Sequence, residues 1–245
     1  MKLTVLGCDG AHPAPGGACS GYLLETEKET LIVDLGTGCL PYLMEKSDPK
    51  DWSALLLSHL HGDHMSDVLT LKYVLQMQKA AGRLAPDFRL PVYLPQSPAA
   101  EFSVVSDCPH FDIRPITDGM EAIVGGAKVT FMQGRHPYES FGLRIEADGK
   151  RFAYTGDTNT CAMLDRIFEN ADLALADGAF LKEKWNENLP HASAHLCAKA
   201  ARAQGAKALI VTHIMPGGDR EAIEREAAAE FPGALAAHRG MTVTL

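Results

Sequence analysis

No two of the six cysteines stand as a C-x-x-C pair: Cys8, Cys19, Cys39, Cys108, Cys161 and Cys197 are scattered. That spacing argues against a disulfide framework and suits free thiols in a reducing cytoplasm. Basic residues are in deficit as well. Lys and Arg number 23 against 31 Asp and Glu, a formal charge of −8, so the chain lacks the basic face that holds nucleic acid by its phosphates, and no stable nucleic-acid complex is expected. A small anionic substrate stays open, because bound divalent cations reverse the local field. No apolar stretch approaches the roughly 20 residues of a membrane span. The opening Met1-Lys2-Leu3-Thr4-Val5-Leu6-Gly7 turns polar too quickly for a signal peptide, so a cytoplasmic location is expected. Linkers, low-complexity tracts and close repeats are missing too. With 46% hydrophobic residues in 245, the expectation is one globular domain, residues 1–245, with a sizeable core.

The chemistry concentrates in His59-Leu60-His61-Gly62-Asp63-His64. Three imidazoles and a carboxylate follow the apolar run Ala54-Leu55-Leu56-Leu57, which reads as a buried strand closed by Ser58. His59 and His61 lie two apart, so extended backbone puts both on one face. Gly62 allows a sharp turn, after which Asp63 and His64 point elsewhere. One hexapeptide can thus feed two ions. Imidazole and carboxylate without thiolate suit zinc, with manganese or iron(II) as alternatives.

The rest of the chain alternates strand and helix signals. Lys2–Leu6, Tyr22–Glu25 and Leu31–Asp34 read as strands, with a Gly/Pro-rich loop at Gly7–Gly17. Asp34-Leu35-Gly36-Thr37-Gly38 turns into a helix to about Lys46. Ser66 or Asp67 can cap a helix to about Ala81, with Gly82 as its stop. Val92–Leu94 reads as a strand and Ala99–Val105 as a helix. Residues 111–155 look all-β, with turns at Asp118-Gly119, Gly125-Gly126 and Asp148-Gly149. A helical region from Thr160, strand Leu173–Ala176, helix Ala194–Gln204, strand Leu209–Val211, helix Arg220–Glu230 capped by Asp219, and strand Met241–Thr244 complete it. Each half thus begins with strands and continues with alternating strands and helices. That order suits an α/β fold of two face-to-face sheets with helices outside, an αβ/βα sandwich.

Three further apolar strands end in candidate ligands. They lead to His136, Asp157 and His213. In layered α/β folds ligands gather beyond the carboxyl ends of strands, and a carboxylate such as Asp157 can bridge two ions about 3.5–4 Å apart.

The chain resembles the metallo-β-lactamase superfamily over nearly its whole length. The H-x-H-x-D-H at 59–64, the later single His136, T-G-D-T at 155–158 and T-H at 212–213 match its motifs in order, and Asp34 in L-I-V-D-L-G-T-G matches the opening one. The resemblance implies a four-layer αβ/βα sandwich in which His59, His61 and His136 hold one metal ion, Asp63, His64 and His213 the other, and Asp157 bridges. Ribonuclease Z and its phosphodiesterase relatives are the branch it is most similar to, through Pro190-His191-Ala192-Ser193-Ala194 ahead of the last motif. In that branch the matching histidine donates a proton or hydrogen bond to the phosphate or leaving oxygen, which assigns His191. Ser193 reads as a helix cap, His195 as structural, and His12, His110 and His238 have no ligand-like context.

Departures from the family narrow the reading. Ribonuclease Z inserts a long tRNA-gripping arm between the third-motif histidine and the bridging Asp, whereas twenty residues separate His136 from Asp157. The true β-lactamases place Cys where Asp157 stands, and diiron relatives place Glu where His61 stands. The sequence therefore predicts a two-metal hydrolase of a small phosphodiester such as a cyclic nucleotide, with Asp63 as ligand and base and His191 as donor. Hydrolysis of a carboxylic ester, lactone or thioester on the same site is the main alternative, and RNA 3′ processing a weaker one. The loops Ala11–Ala18, Pro137–Ser140 and Met215–Gly218 are candidates for the pocket rim. Arg135, Arg144 and Gly217-Gly218 are candidate phosphate contacts. A homodimer follows only by analogy with the family.

Overall fold

The computed structural model describes residues 1–245. Its first half runs β1 (Lys2–Gly7), β2 (Gly21–Glu25), β3 (Thr30–Leu35), α1 (Leu40–Lys46), β4 (Trp52–Leu56), α2 (Gly62–Met65), α3 (Val68–Ala80), β5 (Leu90–Leu94), α4 (Ala99–Ser106) and β6 (Phe111–Pro115). The second half runs β7 (Glu121–Val124), β8 (Ala127–Gln133), β9 (Phe141–Ala147), β10 (Lys150–Tyr154), α5 (Met163–Phe168), β11 (Leu173–Asp177), α6 (Ala194–Ala203), β12 (Leu209–Thr212), α7 (Arg220–Glu230), β13 (Leu235–Ala236) and β14 (Thr242–Thr244).

Two seven-stranded sheets result, ordered β14-β1-β2-β3-β4-β5-β6 and β13-β12-β11-β10-β9-β8-β7. In each, hairpin-linked antiparallel strands give way to parallel ones: β3, β4, β5 and β6 in the first sheet, β10, β11, β12 and β13 in the second. The parallel strands carry apolar residues on both faces because both faces are covered. On β3, Leu31 and Val33 enter the core between the sheets while Ile32 and Leu35 pack under helices. On β4, Ala54 and Leu56 face inward and Leu55 outward. Phe131, Phe141, Phe152 and Tyr154 fill the inter-sheet core from the other side. Helices α5, α6 and α7 cover the second sheet through Ile167, Cys197, Ala201 and Ile223. The four-layer αβ/βα sandwich is thus the observed architecture. No helix is long and apolar enough to cross a membrane.

Local expectations fail where loop hydrogen bonds intervene. Neither Ser66 nor Asp67 caps α3. Both are helical in backbone and follow α2 without a break, and the Asp67 carboxylate instead accepts the Leu40 N–H of α1 at 2.7 Å. The helix expected from Thr160 starts at Met163. Asn159 Oδ1 accepts the Thr160 N–H, and its amide donates to the carbonyl of Leu189, which holds this stretch as loop. Ser193 and Asp219 do cap α6 and α7, accepting the N–H groups of Leu196 and Ala222. Strand β13 and the 3-10 turns at Pro49–Asp51 and Lys182–Lys184 carry no signal that the sequence reading used.

Candidate metal centre

Strands β3, β4, β8, β10, β11 and β12 all deliver polar residues from their carboxyl ends to one edge of the sandwich. The two sheets are tied there by the Phe141 N–H donating to the Ser58 carbonyl (2.9 Å) and Tyr22 Oη lying 2.7 Å from Thr212 Oγ1. The expected seven residues converge there as two groups that share one carboxylate. His59, His61, His136 and Asp157 form one group, and Asp63, His64, Asp157 and His213 the other. Within each group the ligand atoms lie within 4.8 Å of one another.

The hexapeptide works by its backbone. His61 is extended at the start of α2, so His59 Nε2 and His61 Nδ1 come to 3.1 Å. That is near the roughly 3.3–3.4 Å between two nitrogens that share a tetrahedral ion at about 2.0–2.1 Å. The first turn of α2 then aims Asp63 and His64 at the second group. Two glycines make room. A methyl on Gly36 would collide with the Asp63 carbonyl, and one on Gly10 would occupy the space of the His213 ring. Gly10→Ala is therefore expected to weaken metal affinity about 10- to 100-fold while the fold persists, measured by competition with a chelator.

Electrostatics prepare the groups for a cation. Burial, reinforced by neighbouring imidazoles, holds His59 well below its ordinary pKa. Burial also lowers His61 and takes His136 down to about 4. These rings are neutral near pH 7, with lone pairs available, which is the form a metal requires. Burial alone would raise Asp157, but His213, His64 and His59 outweigh it and hold the carboxyl well below its usual range. His64 is likewise raised against its burial by Asp157 and Asp34. Asp63 Oδ2, His64 Nε2, His136 Nδ1 and Asp157 Oδ1 are buried without a hydrogen-bond partner. Each such atom costs about 1–3 kcal/mol if left unmet, and four around one small volume fit divalent cations.

A buried layer behind the ligands fixes them. Asp34, at φ 52° in the left-handed region, accepts the Ser58 N–H (2.7 Å) and, at about 2.8 Å each, the Ser58 Oγ, Tyr154 Oη and His64 Nδ1 protons. Because His64 donates from Nδ1, its Nε2 faces the cluster, 3.2 Å from Asp157 Oδ2. Ser58 Oγ, having given its proton to Asp34, accepts from His59 Nδ1 at 3.1 Å, which leaves His59 Nε2 bare. Ser20 Oγ lies 3.3 Å from His213 Nδ1, and His213 itself sits at φ 58°, the kind of strained backbone that collects at functional sites.

His191 joins the cluster from the loop before α6. Its Nδ1 is 2.8 Å from Asp177 Oδ2 and 3.9 Å from Asp157 Oδ2. Burial lowers its pKa, but Asp177 outweighs this and raises it to about 9. Asp177 is in turn held by the N–H groups of Thr158 and Ala179. The sequence reading passed over Asp177, Ser20, Ser58 and Tyr154, because an Asp before Gly reads as a turn-former and the others as ordinary strand or loop residues. His195 lies outside the cluster, 3.3 Å from Glu230. Arg135 donates one N–H to the Glu187 carbonyl and Arg144 one to that of Arg166, and Arg144 Nε is buried without a partner. His12, set aside earlier, lines a hollow of about 410 Å³ with Thr37, Ser66, His61 and Asp63. Tyr138 covers His61 with ring centroids 3.9 Å apart, so rim residues come from the expected loops.

The fold and this cluster define a metal-dependent hydrolase, and the chain belongs to the β-lactamase superfamily. The family model described as "Beta-lactamase superfamily domain" matches residues 34–214. The uncharacterized protein ML1173 of Mycobacterium leprae is 33% identical over 242 residues, which span 95% of this chain and 84% of that protein. The probable metallo-hydrolase YhfI of Bacillus subtilis is 27% identical over 95% of each chain. Its crystal structure superposes with a TM-score of 0.93 over 99% of this chain and 98% of its own. A protein named Ribonuclease Z from Natronomonas pharaonis is 27% identical over 95% of this chain and 94% of its own.

Proposed function

We propose that the protein is a phosphodiesterase that binds two divalent cations, zinc foremost with manganese or iron(II) as alternatives, and hydrolyses a small phosphodiester such as a cyclic nucleotide. The observation that carries this reading is the one buried carboxylate, Asp157, standing between two ligand groups with the His191–Asp177 pair beside it. His59, His61 and His136 would hold one cation and Asp63, His64 and His213 the other, with Asp157 between them. Such cations supply Lewis acidity toward a phosphoryl oxygen and make water acidic enough to act as a nucleophile near neutral pH.

The chain's own groups supply the rest. Asp63, besides its place in the second ligand group, would orient a water through its carboxylate and accept its proton. His191, anchored through Nδ1, keeps its other nitrogen for the substrate. As a cation it stabilises charge on the phosphoryl oxygens and can donate its proton to the leaving oxygen.

The connection between His136 and Asp157 favours a small substrate. It is a single hairpin, β9 paired with β10 from Ala147–Lys150 to Leu143–Tyr154, which leaves the site without a long RNA-gripping arm. The relative named Ribonuclease Z supports phosphodiester chemistry, and the net charge of −8 supports a small substrate over a polynucleotide.

The test is a hydrolase screen on protein reconstituted separately with zinc and manganese. It includes bis(p-nitrophenyl) phosphate, cyclic nucleotides, carboxylic esters, lactones and thioesters. The expected result is metal-dependent turnover of the phosphodiesters alone. Turnover confined to the carboxyl substrates would move the protein to the esterase or lactonase reading.

A further inference from the structure

One hollow is lined by the ligand cluster itself and a second by residues that follow it in the chain, and their linings differ in kind. The hollow beside His61 and Asp63 presents His12, Thr37 and Ser66. The other encloses about 390 Å³ between the loops that follow β11 and β12. Phe180 and Leu181 form one wall, Ile214, Met215 and Pro216 the opposite one, Ile223 of α7 lies among the lining residues, and the charged Lys184 and Asp219 line it as well. Both walls continue from the cluster. Ile214 directly follows His213, and the Phe180 ring centroid is 6.1 Å from that of His191.

Met215 is 50% exposed, and Phe180 and Leu181 are only partly buried. Apolar surface gathered beside a polar reaction centre gains free energy when an apolar group covers it. The volume falls in the range of small-molecule sites. It exceeds the roughly 150 Å³ apolar cavity that takes up benzene. Aromatic and thioether walls favour a flat partner, Phe180 by ring packing and Met215 by sulfur–ring contact.

We propose that this hollow is a subsite for a planar apolar group, an aryl ring or a nucleobase, carried by the ester arm of the substrate. The inference deepens the phosphodiesterase reading above and rests on it for the placement of the phosphate at the metal centre. It makes Phe180 and Met215 specificity residues, in contact with the substrate's arm and remote from its reacting bond.

The experiment uses zinc-loaded protein and two non-hydrolysable anions that differ only in a ring, phenylphosphonate and methylphosphonate, titrated by calorimetry. Phenylphosphonate is expected to bind roughly 10- to 100-fold more tightly, the gain from burying one ring. Phe180→Ala and Met215→Ala should each remove most of that ratio while leaving the methylphosphonate Kd within about twofold, which also reports that the variants are folded. Equal affinities in the wild type, no binding of phenylphosphonate, or a ratio that survives both substitutions would overturn the subsite. Turnover of bis(p-nitrophenyl) phosphate, measured alongside, separates the two claims. A preserved ratio without turnover removes the phosphodiesterase reading, and turnover with equal affinities removes the subsite alone.

Discussion

Asp157→Ala is expected to lower phosphodiester hydrolysis by about 10³-fold or more, and to leave less than one ion bound per chain. Its carboxylate is the single group common to both ligand sets. Oδ2 lies 3.5 Å from His59 Nε2 and 3.2 Å from His64 Nε2, and Oδ1 lies 3.4 Å from His213 Nδ1. Its side chain is only 3% exposed, so water cannot replace the lost charge cheaply. The remaining ligands of the first set are all imidazoles, which hold a divalent ion without neutralising it. A structural role would show as a lower melting temperature of the metal-free variant. Losing the contacts with His64 and His213 adds such a lowering by itself, so the metal role is read from the rise in melting temperature on adding zinc, which is expected in the wild type and absent in the variant.

His191→Ala is expected to cost about 10²–10⁴-fold in kcat for esters with alkoxide leaving groups, the usual worth of a positioned proton donor. The loss should be far smaller for bis(p-nitrophenyl) phosphate, because p-nitrophenolate leaves as a stable anion. A purely structural histidine would depress both substrates alike. Asp177 provides the sign of the pH effect. Its carboxylate raises His191 to about 9, so the charged ring prevails below that pH and is lost above it. Asp177→Asn removes that support and lets burial dominate. The alkaline limb of kcat/KM for alkoxide substrates should then move to lower pH by about one unit or more. An unmoved limb would show that His191 is not the donor.

Much of this centre was legible in the sequence because it follows from short-range rules. His59 and His61 share a face because extended backbone alternates, while Asp63 and His64 are redirected by the first turn of α2, in which Gly62 is helical rather than in a glycine-only turn. His136, Asp157 and His213 were visible as polar residues at the ends of apolar strands. The layered architecture followed from where hydrophobic runs alternate with helix signals. What escaped depends on long-range contacts that leave no periodic trace. Asp177 meets His191 fourteen positions further along the chain, and Tyr154 reaches Asp34 across 120 positions. Asp67 looked like a cap for its own helix and capped another. His12 stands on the loop Ala11–Ala18 that the sequence already offered as rim, and it lines the hollow beside His61. Charge made Arg135 and Arg144 candidates, and the carbonyls of Glu187 and Arg166 each take one N–H from them.

Elemental analysis of zinc-reconstituted protein counts the cations that Asp157 would share. About two zinc ions per chain are expected in the wild type and fewer than one in Asp157→Ala, with hydrolysis falling in step. One ion or none in the wild type, or full occupancy in the variant, would contradict that sharing.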